Sequence, residues 1–271
     1  MKAEKSSNLF SKLYSKIHNK YKDRIFEFLL VFVAVFLGFW ADSWREKIND
    51  EERERQYILS MYYDLKSDTS NFNLNLAKTN EVSNNMHKIV SLLSSTARFD
   101  SSLSIYRYAR SITYNAPFYQ PNQRTYEQMK FAGDLRLVRS IAISDSITSY
   151  YNSLIWILTQ NYYIRQRLGD YMGAAENIFD GNSFMAILEN KTDTELLNTI
   201  PNSKYVTTDS LLFNKLYVRT QYFYGACKVT AVSANEALRK STNLLKLLKD
   251  KYKIKDEPIK ILPKLPIDKS S

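Results

Sequence analysis

Few residues of this chain could carry out acid–base, nucleophilic or metal chemistry. The sequence contains two histidines, His18 and His87, and a single cysteine, Cys227. The histidines fall in different predicted segments, so no Cys/His cluster has the spacing that holds zinc or another transition metal. A cysteine nucleophile needs an activating base, and no motif places one beside Cys227, which we interpret as a buried structural thiol. We therefore expect no metal and no cofactor.

Carboxylates are the remaining candidates for catalysis. Glu127, Asp134 and Asp145 lie loosely together in the sequence, a spacing that is common on helix surfaces. The six glycines are scattered, so they build no loop that could cradle a phosphate. The lone cysteine also excludes an internal disulfide. These observations favour a protein that is not an enzyme.

Aromatic residues give the one pattern that suggests a binding surface. The chain has 20 Tyr and 14 Phe, and Tyr150, Tyr151, Trp156, Tyr162 and Tyr163 crowd into half of one predicted helix. Packed against arginines, such rings can line a pocket for a small ligand. The candidate ligand or partner surface comprises Arg124, Tyr126, Arg136, Tyr150, Tyr151 and Trp156. The alternative, which we favour, places these rings in the core with their phenol groups at its rim.

The stretch from Ile25 to Ala41 predicts a membrane-spanning signal-anchor helix. It has seventeen residues and one charge, Glu27, and a hydrocarbon core of about 30 Å needs about 20 residues. The span therefore extends into its flanks, where Arg24 can pair with Glu27 while Trp40 and Trp44 suit the opposite interface. A buried core helix and a cleaved signal peptide are the weaker alternatives.

The charges that flank this stretch predict its orientation. Residues 1–24 contain seven Lys/Arg and two acids, whereas residues 42–56 contain four Lys/Arg and six acids. The N-terminus is then cytoplasmic and the main domain periplasmic, as in a single-pass protein of the bacterial inner membrane. The two ends of the chain supply most of the net charge of +10, so no basic face remains for nucleic acid.

Residues 1–24 form a basic arm with two open interpretations. An apolar line recurs every four residues, and lysines recur at the same spacing on another face, which is typical of an amphipathic helix on anionic lipid. The apolar line is Leu9, Leu13, Ile17 and Tyr21, and the basic line is Lys12, Lys16 and Lys20. A disordered basic tail that only sets topology is the alternative.

The rest of the chain predicts an all-α domain. Residues 42–56 form a charged helical stalk, and no glycine or proline interrupts the sequence from Ala41 to about Ser95. Ile58, Leu65, Phe72, Met86 and Leu93 fall on a seven-residue repeat, interrupted by Thr79. A second line, offset as in an a/d seam, is Tyr62, Thr69, Leu76, Ser83 and Val90. This long helix continues the membrane span and packs against other helices of its own chain.

Two more long helices are predicted, from about Ser140 to Asn177 and from about Asp209 to Asp250. Short helices connect them: one at 100–113, one that Thr125 and Gln128 open as a capping box and Gly133 closes, and others between Gly181 and Pro201. The sequence thus predicts an antiparallel bundle of about three long helices at 57–250. Residues 251–271 form an extended tail rich in proline and lysine.

Several short motifs give the chain a family resemblance. They are Trp44-Arg45-Glu46, Tyr63-Asp64-Leu65-Lys66-Ser67-Asp68, Thr125-Tyr126-Glu127-Gln128-Met129-Lys130, Gly133-Asp134-Leu135-Arg136-Leu137-Val138 and Tyr150-Tyr151-Asn152. Following an apolar span, this order resembles an uncharacterised family of single-pass membrane proteins of Bacteroidota, over about residues 25–155. In that family Asn-Asn-Trp-Asn-Glu often follows the span, whereas Asp42-Ser43 and Arg45 stand here. The resemblance implies location and architecture and carries no catalytic residue.

These features predict a structural or accessory interaction subunit of a cell-envelope complex, in contact with inner-membrane lipid and with a protein partner or a second copy. The alternative is an extracytoplasmic helical bundle that senses a small ligand and signals through a partner.

Overall fold

The computed structural model describes residues 3–95, 102–189, 192–199 and 205–255, and only the backbone of residues 3–25, 193, 197 and 199. Seven α-helices occur there, with no strand in these ranges: α1 (Ala3–Leu93), α2 (Ser102–Tyr114), α3 (Arg124–Ala132), α4 (Ile141–Ala175), α5 (Gly181–Leu188), α6 (Asp193–Thr199) and α7 (Ser210–Tyr252). A 3-10 turn, Asp134–Leu137, precedes α4. The all-α prediction is confirmed. Most of the predicted tail lies outside the described residues.

The chain divides into two units, Met1–Gln56 and Tyr57–Ser271. In the first unit, α1 contains one stretch that is long and apolar enough to cross a membrane, and none of it is buried against other parts of the protein. Its large apolar side chains from Phe26 to Trp44 are all about half exposed or more. Trp40 and Trp44 contact each other with ring centroids 5.7 Å apart, and Arg45 pairs with Asp42 at 2.7 Å. The predicted contact of Glu27 with Arg24 stays a prediction, because the Arg24 side chain is not described.

In the second unit the predicted seven-residue line of α1 is buried. Ile58, Leu65 and Met86 are fully buried, and so is Thr79, the polar member that interrupts the line. The Thr79 hydroxyl fits there because it donates to the Asn75 carbonyl oxygen at 2.7 Å and bonds the Tyr119 hydroxyl at 2.9 Å. The predicted second line is only partly buried.

The inward face of α7 is a regular seam. Its eleven buried residues alternate in steps of three and four from Phe213 to Leu248, the spacing that keeps one stripe facing neighbouring helices. Thr220, Thr230 and Ser241 in this stripe bond carbonyl oxygens of their own helix at 2.7, 2.8 and 2.9 Å. Buried hydroxyls are thereby satisfied without a partner helix.

Helices α4 and α7 are antiparallel. Lys240 Nζ donates to the Ser149 carbonyl oxygen at 3.3 Å, whereas Arg219 pairs with Asp170 at 3.0 Å. Later residues of α4 therefore contact earlier residues of α7.

Helices α1 and α4 run in the same direction and α7 is antiparallel to both, so the predicted antiparallel arrangement fails for the pair of α1 and α4. One core cluster joins residues 58–76 of α1 to 143–157 of α4 and 234–248 of α7. The other joins residues 82–93, 164–175 and 213–227 of the same helices. The segment between α1 and α4 carries the chain back along the bundle before α4 begins, which makes the parallel pair possible.

That returning segment is tied to α4 by a side-chain amide. Asn161 accepts from the Tyr119 N–H at 3.1 Å and donates to the Tyr119 carbonyl oxygen at 2.6 Å. Gly133 then ends α3 with φ of +72°, the left-handed conformation predicted for it.

The capping box predicted at Thr125 and Gln128 is wrong. Helix α3 begins at Arg124 with Gln123 as its N-cap, two residues before the predicted cap, and the Gln123 side chain makes no capping hydrogen bond. Thr125 lies inside the helix, where its hydroxyl donates to a carboxylate of α1.

Candidate functional site

A buried polar cluster joins three segments that are far apart in the sequence. Helix α1 contributes Asp64 and Asp68, which are 3% and 1% exposed. The start of α3 contributes Thr125, and α4 contributes Tyr150 and Tyr151. The sequence motifs that begin at Tyr63, Thr125 and Tyr150 therefore meet at one place.

Asp64 accepts four hydrogen bonds from the start of α3. Its Oδ1 accepts from the Asn122 side-chain amide at 2.7 Å and from Arg124 Nη2 at 3.2 Å. Its Oδ2 accepts from the Thr125 N–H at 3.3 Å and from the Thr125 hydroxyl. These four donors, one of which is the Arg124 guanidinium, satisfy both oxygens of the Asp64 carboxyl, although the Arg124 side chain itself is 73% exposed.

Asp68, one turn further along α1, has fewer donors. Its Oδ1 accepts from the Asn122 N–H at 2.7 Å, and its Oδ2 accepts from the Tyr150 hydroxyl at 2.6 Å. Burial raises the pKa of Asp68 to about 6, with a smaller contribution from the nearby Asp64, and the two hydrogen bonds oppose that rise. Asp68 is therefore the carboxyl of this cluster that can take up a proton in mildly acidic solution.

The tyrosines surround the two carboxylates as neutral phenols. Burial is the main cause that raises the pKa of Tyr150, followed by Asp68. Burial also raises the pKa of Tyr151, followed by Asp64 and Asp68. The Tyr151 ring stacks on Tyr126 with centroids 4.0 Å apart, and its buried hydroxyl has no hydrogen-bond partner.

A second pair of contacts extends the cluster toward the start of the bundle. The Tyr57 hydroxyl donates to Asp134 Oδ2 at 2.9 Å. The Ser60 and Thr125 hydroxyls are bonded at 2.8 Å. These contacts join α3 and the turn after it to the same face of α1, so the cluster clamps the returning segment onto the bundle.

Four of the six residues of the predicted ligand or partner surface belong to this cluster: Arg124, Tyr126, Tyr150 and Tyr151. Arg136 and Trp156 are exposed outside it. Asp64 and Asp68 were not predicted as members. The sequence contains one indication that Asp68 is buried: it shares a seven-residue spacing on α1 with Met61, Val82 and Ile89, which are all buried.

Trp156 instead belongs to an exposed apolar surface across α4 and α7, which we call the aromatic face. Its members, with their exposed fractions, are Ile155 (63%), Trp156 (54%), Tyr162 (65%), Tyr163 (43%), Tyr222 (57%), Val229 (49%) and Val232 (71%). The rings of Tyr162 and Tyr163 contact each other edge to face, with centroids 5.6 Å apart.

The register of the two helices brings these residues together. The Arg167 guanidinium lies over the Tyr222 ring at 5.4 Å. Tyr163 is one turn before Arg167 on the same side of α4, and Val229 is seven residues after Tyr222 on the same side of α7. Because the helices are antiparallel, Trp156 lies beside the turn that contains Val232.

The residues first considered for chemistry lie elsewhere. Cys227 is fully buried in the seam of α7, and burial raises its thiol pKa to about 12. His87 is exposed on α1. Within the described ranges, no group of three or more His, Cys, Asp or Glu side chains could hold a metal ion.

Comparison of the chain with protein-family models, with curated proteins and with solved structures gives no match.

Proposed function

We propose that this protein is a membrane-anchored, non-enzymatic structural or interaction subunit of a cell-envelope complex, with its helical domain in the periplasm. The observation that carries this proposal is the aromatic face. Monomeric soluble proteins rarely expose a contiguous apolar surface of more than a few hundred Å², and Trp and Tyr are the residues that most often dominate protein interfaces.

The buried cluster supports the same function in a different way. Asp64 is saturated with donors from the start of α3, and each oxygen of Asp68 already accepts one hydrogen bond. Such a network holds the returning segment in one position. A bundle fixed in this way presents its outer surface with little freedom, which lowers the entropy lost on binding a partner.

Purification of the tagged full chain from membranes tests the proposal. We expect a stoichiometric partner with the wild type, either a different protein or an untagged copy of the chain, and its loss with Trp156→Ala. Phe131→Ala is the matched control, because Phe131 is 84% exposed on α3, outside the aromatic face. Equal recovery of the partner with both variants would contradict the role given to the face.

Topology has its own test. A cysteine at the exposed position Asn84 should react with a membrane-impermeant thiol reagent in intact cells whose outer membrane has been permeabilised. Cys227 adds little background because it is fully buried. Labelling that appears only after lysis would refute a periplasmic domain.

A ligand-sensing bundle is the second candidate, favoured by one observation. The Tyr151 hydroxyl is buried, lacks a hydrogen-bond partner and lies among carboxylates. Recovery of the protein as a lone monomer with a co-purified small molecule would favour this candidate over the interaction subunit.

A further inference from the structure

We propose that the aromatic face is a self-association surface, on which a second copy of this chain docks across α4 and α7. This inference rests on the proposed function, since it names the partner at the surface that carries it.

Few charged residues lie on or beside the aromatic face. No charged residue occurs between Asp145 and Arg165 in α4. In α7, Lys228 is the one charged residue between Arg219 and Glu236. Its ammonium lies over the Tyr224 ring at 5.3 Å, and Tyr224 lies about 200° around the helix from Tyr222. Lys228 lies one turn before Val232, and the Arg167 guanidinium lies over the Tyr222 ring, so charges stand at the edges of the aromatic face. Its centre, around Trp156, Tyr163 and Val229, is uncharged.

An uncharged surface has a particular value for a symmetric dimer. In a two-fold contact each residue near the axis lies close to its own copy. A charge at such a position would oppose an identical charge, and that juxtaposition costs several kcal/mol in an interface. The uncharged centre of the aromatic face can meet itself without this cost, whereas its edges and the surrounding helix surface carry Arg165, Arg167, Lys228, Glu236 and Lys240.

The exposed area of the aromatic face is close to the area that each partner buries in a specific interface. The exposed fractions of its seven side chains leave on the order of 700 Å² open to solvent, given that a large aromatic residue offers about 150–250 Å². A specific interface of standard size buries about 800 Å² on each partner. One aromatic face against another therefore supplies the area that a stable pair needs, with three tyrosines and a tryptophan among its members.

The candidate span also favours self-association. Copies held by α1 in one membrane diffuse in a plane, so tethering raises the effective concentration at which they meet. A pair of moderate intrinsic affinity would then form at ordinary expression levels.

The experiment measures the mass of the full-length protein in detergent micelles over a range of concentrations. We expect two copies per particle for the wild type and, for Val229→Lys, a dimer dissociation constant raised by at least about tenfold. The matched control is Leu74→Lys, because Leu74 is 57% exposed on α1 and lies two residues from the buried Phe72, hence on the outward side. We expect it to pair as the wild type does.

Rescue separates a direct contact from damage to the fold. When differently tagged Val229→Lys and Val229→Glu chains are expressed together, opposite charges meet across the interface, and we expect each to recover the other. Thr159→Cys provides a second measurement that keeps every apolar member of the face, because Thr159 is exposed on α4 between Ile155 and Tyr163. Oxidation should link two copies through this position, whereas a Leu74→Cys control should form no disulfide-linked pair. Far-ultraviolet circular dichroism verifies that each variant keeps its helices.

A wild type that stays single at roughly 100 μM, well above the dissociation constants of ordinary specific complexes, would refute self-association. So would a Val229→Lys chain that is folded and pairs as the wild type does. If the wild type is single and Trp156→Ala still abolishes recovery of a different stoichiometric protein, the interaction-subunit proposal survives and self-association fails. If the wild type is single and recovers no other protein, both self-association and the interaction-subunit proposal are overturned.

Discussion

Replacement of Asp68 by asparagine should change how the stability of the bundle depends on pH. Asp68 is almost fully buried, and its oxygens accept from the Asn122 N–H and the Tyr150 hydroxyl. An asparagine fits the same position as a protonated carboxyl does. Its oxygen accepts from Asn122, and its amide donates to the Tyr150 oxygen. The substitution therefore imitates the protonated state at every pH.

The magnitude follows from the pKa of Asp68, which rises from 3.8 to about 6 in the folded protein. Between those two values the folded state binds more protons than the unfolded state, so stability decreases as pH rises. The contribution is fully present below about pH 4 and is lost above about pH 7. Two pKa units correspond to about 3 kcal/mol. The asparagine side chain does not titrate, so the Asp68→Asn variant should gain about 2 kcal/mol relative to the wild type between pH 4.5 and pH 8, the part of that total which falls in this window.

Thermal unfolding of the full chain in detergent, followed by near-ultraviolet circular dichroism at a series of pH values, measures this difference. For a domain of about 200 residues, 2 kcal/mol corresponds to a relative shift in melting temperature of roughly 4–8 °C. Other carboxylates change the stability of both proteins alike, so they cancel in the comparison. Asp145→Asn is the control, because Asp145 is exposed on α4. A difference between Asp68→Asn and wild type that stays flat within about 1 kcal/mol, or that falls toward pH 8, would refute the reasoning.

Three further outcomes are expected. Tyr150→Phe removes a 2.6 Å hydrogen bond to a buried carboxylate and should lower the free energy of unfolding by about 1.5–3 kcal/mol at pH 8. Tyr151→Phe removes a hydroxyl without a hydrogen-bond partner and should lower it by less than about 0.5 kcal/mol. The same thermal unfolding experiment measures both differences. Gly133→Ala should destabilise by about 1 kcal/mol because φ is +72°, whereas Gly169→Ala, inside α4 with open space around it, should stabilise by about 0.5–1 kcal/mol. Cys227, whose thiol pKa is raised to about 12 by burial, should react with a thiol reagent far more slowly in the native protein than after denaturation.

The long helices could be predicted from the sequence because their signals are local. A seven-residue apolar repeat and the absence of glycine and proline specify α1, and the N-cap residues Ser140 and Asp209 stand at the expected starts of α4 and α7. The direction of α1 relative to α4 is not a local property. It depends on how the segment between them crosses the bundle, which the Asn161 amide and the buried carboxylates decide through contacts more than 40 residues apart in sequence.

The capping box shows how a local signal can lose to a distant one. Thr125 has the residue type and spacing for an N-cap, but a hydroxyl near a buried carboxylate gains more by donating to that charge than by accepting a backbone N–H. Once Asp64 is buried beside α3, the Thr125 hydroxyl bonds it, and the helix starts two residues earlier than a Thr125 cap would place it. No pattern within α3 contains this information.

The sequence predicts a cluster of aromatic residues in α4 but does not assign each ring to the core or to the surface. Tyr150 and Tyr151 face inward, while Trp156 and Tyr163 on the same helix face solvent, so one crowded run of rings serves two surfaces. Helical geometry alone separates the two groups, because residues 150 and 156 differ by about 240° around the axis. The inward group meets carboxylates and is fixed by them. The outward group has no such partner within the bundle, and that is the physical reason for placing the protein's function on the outer surface of α4 and α7.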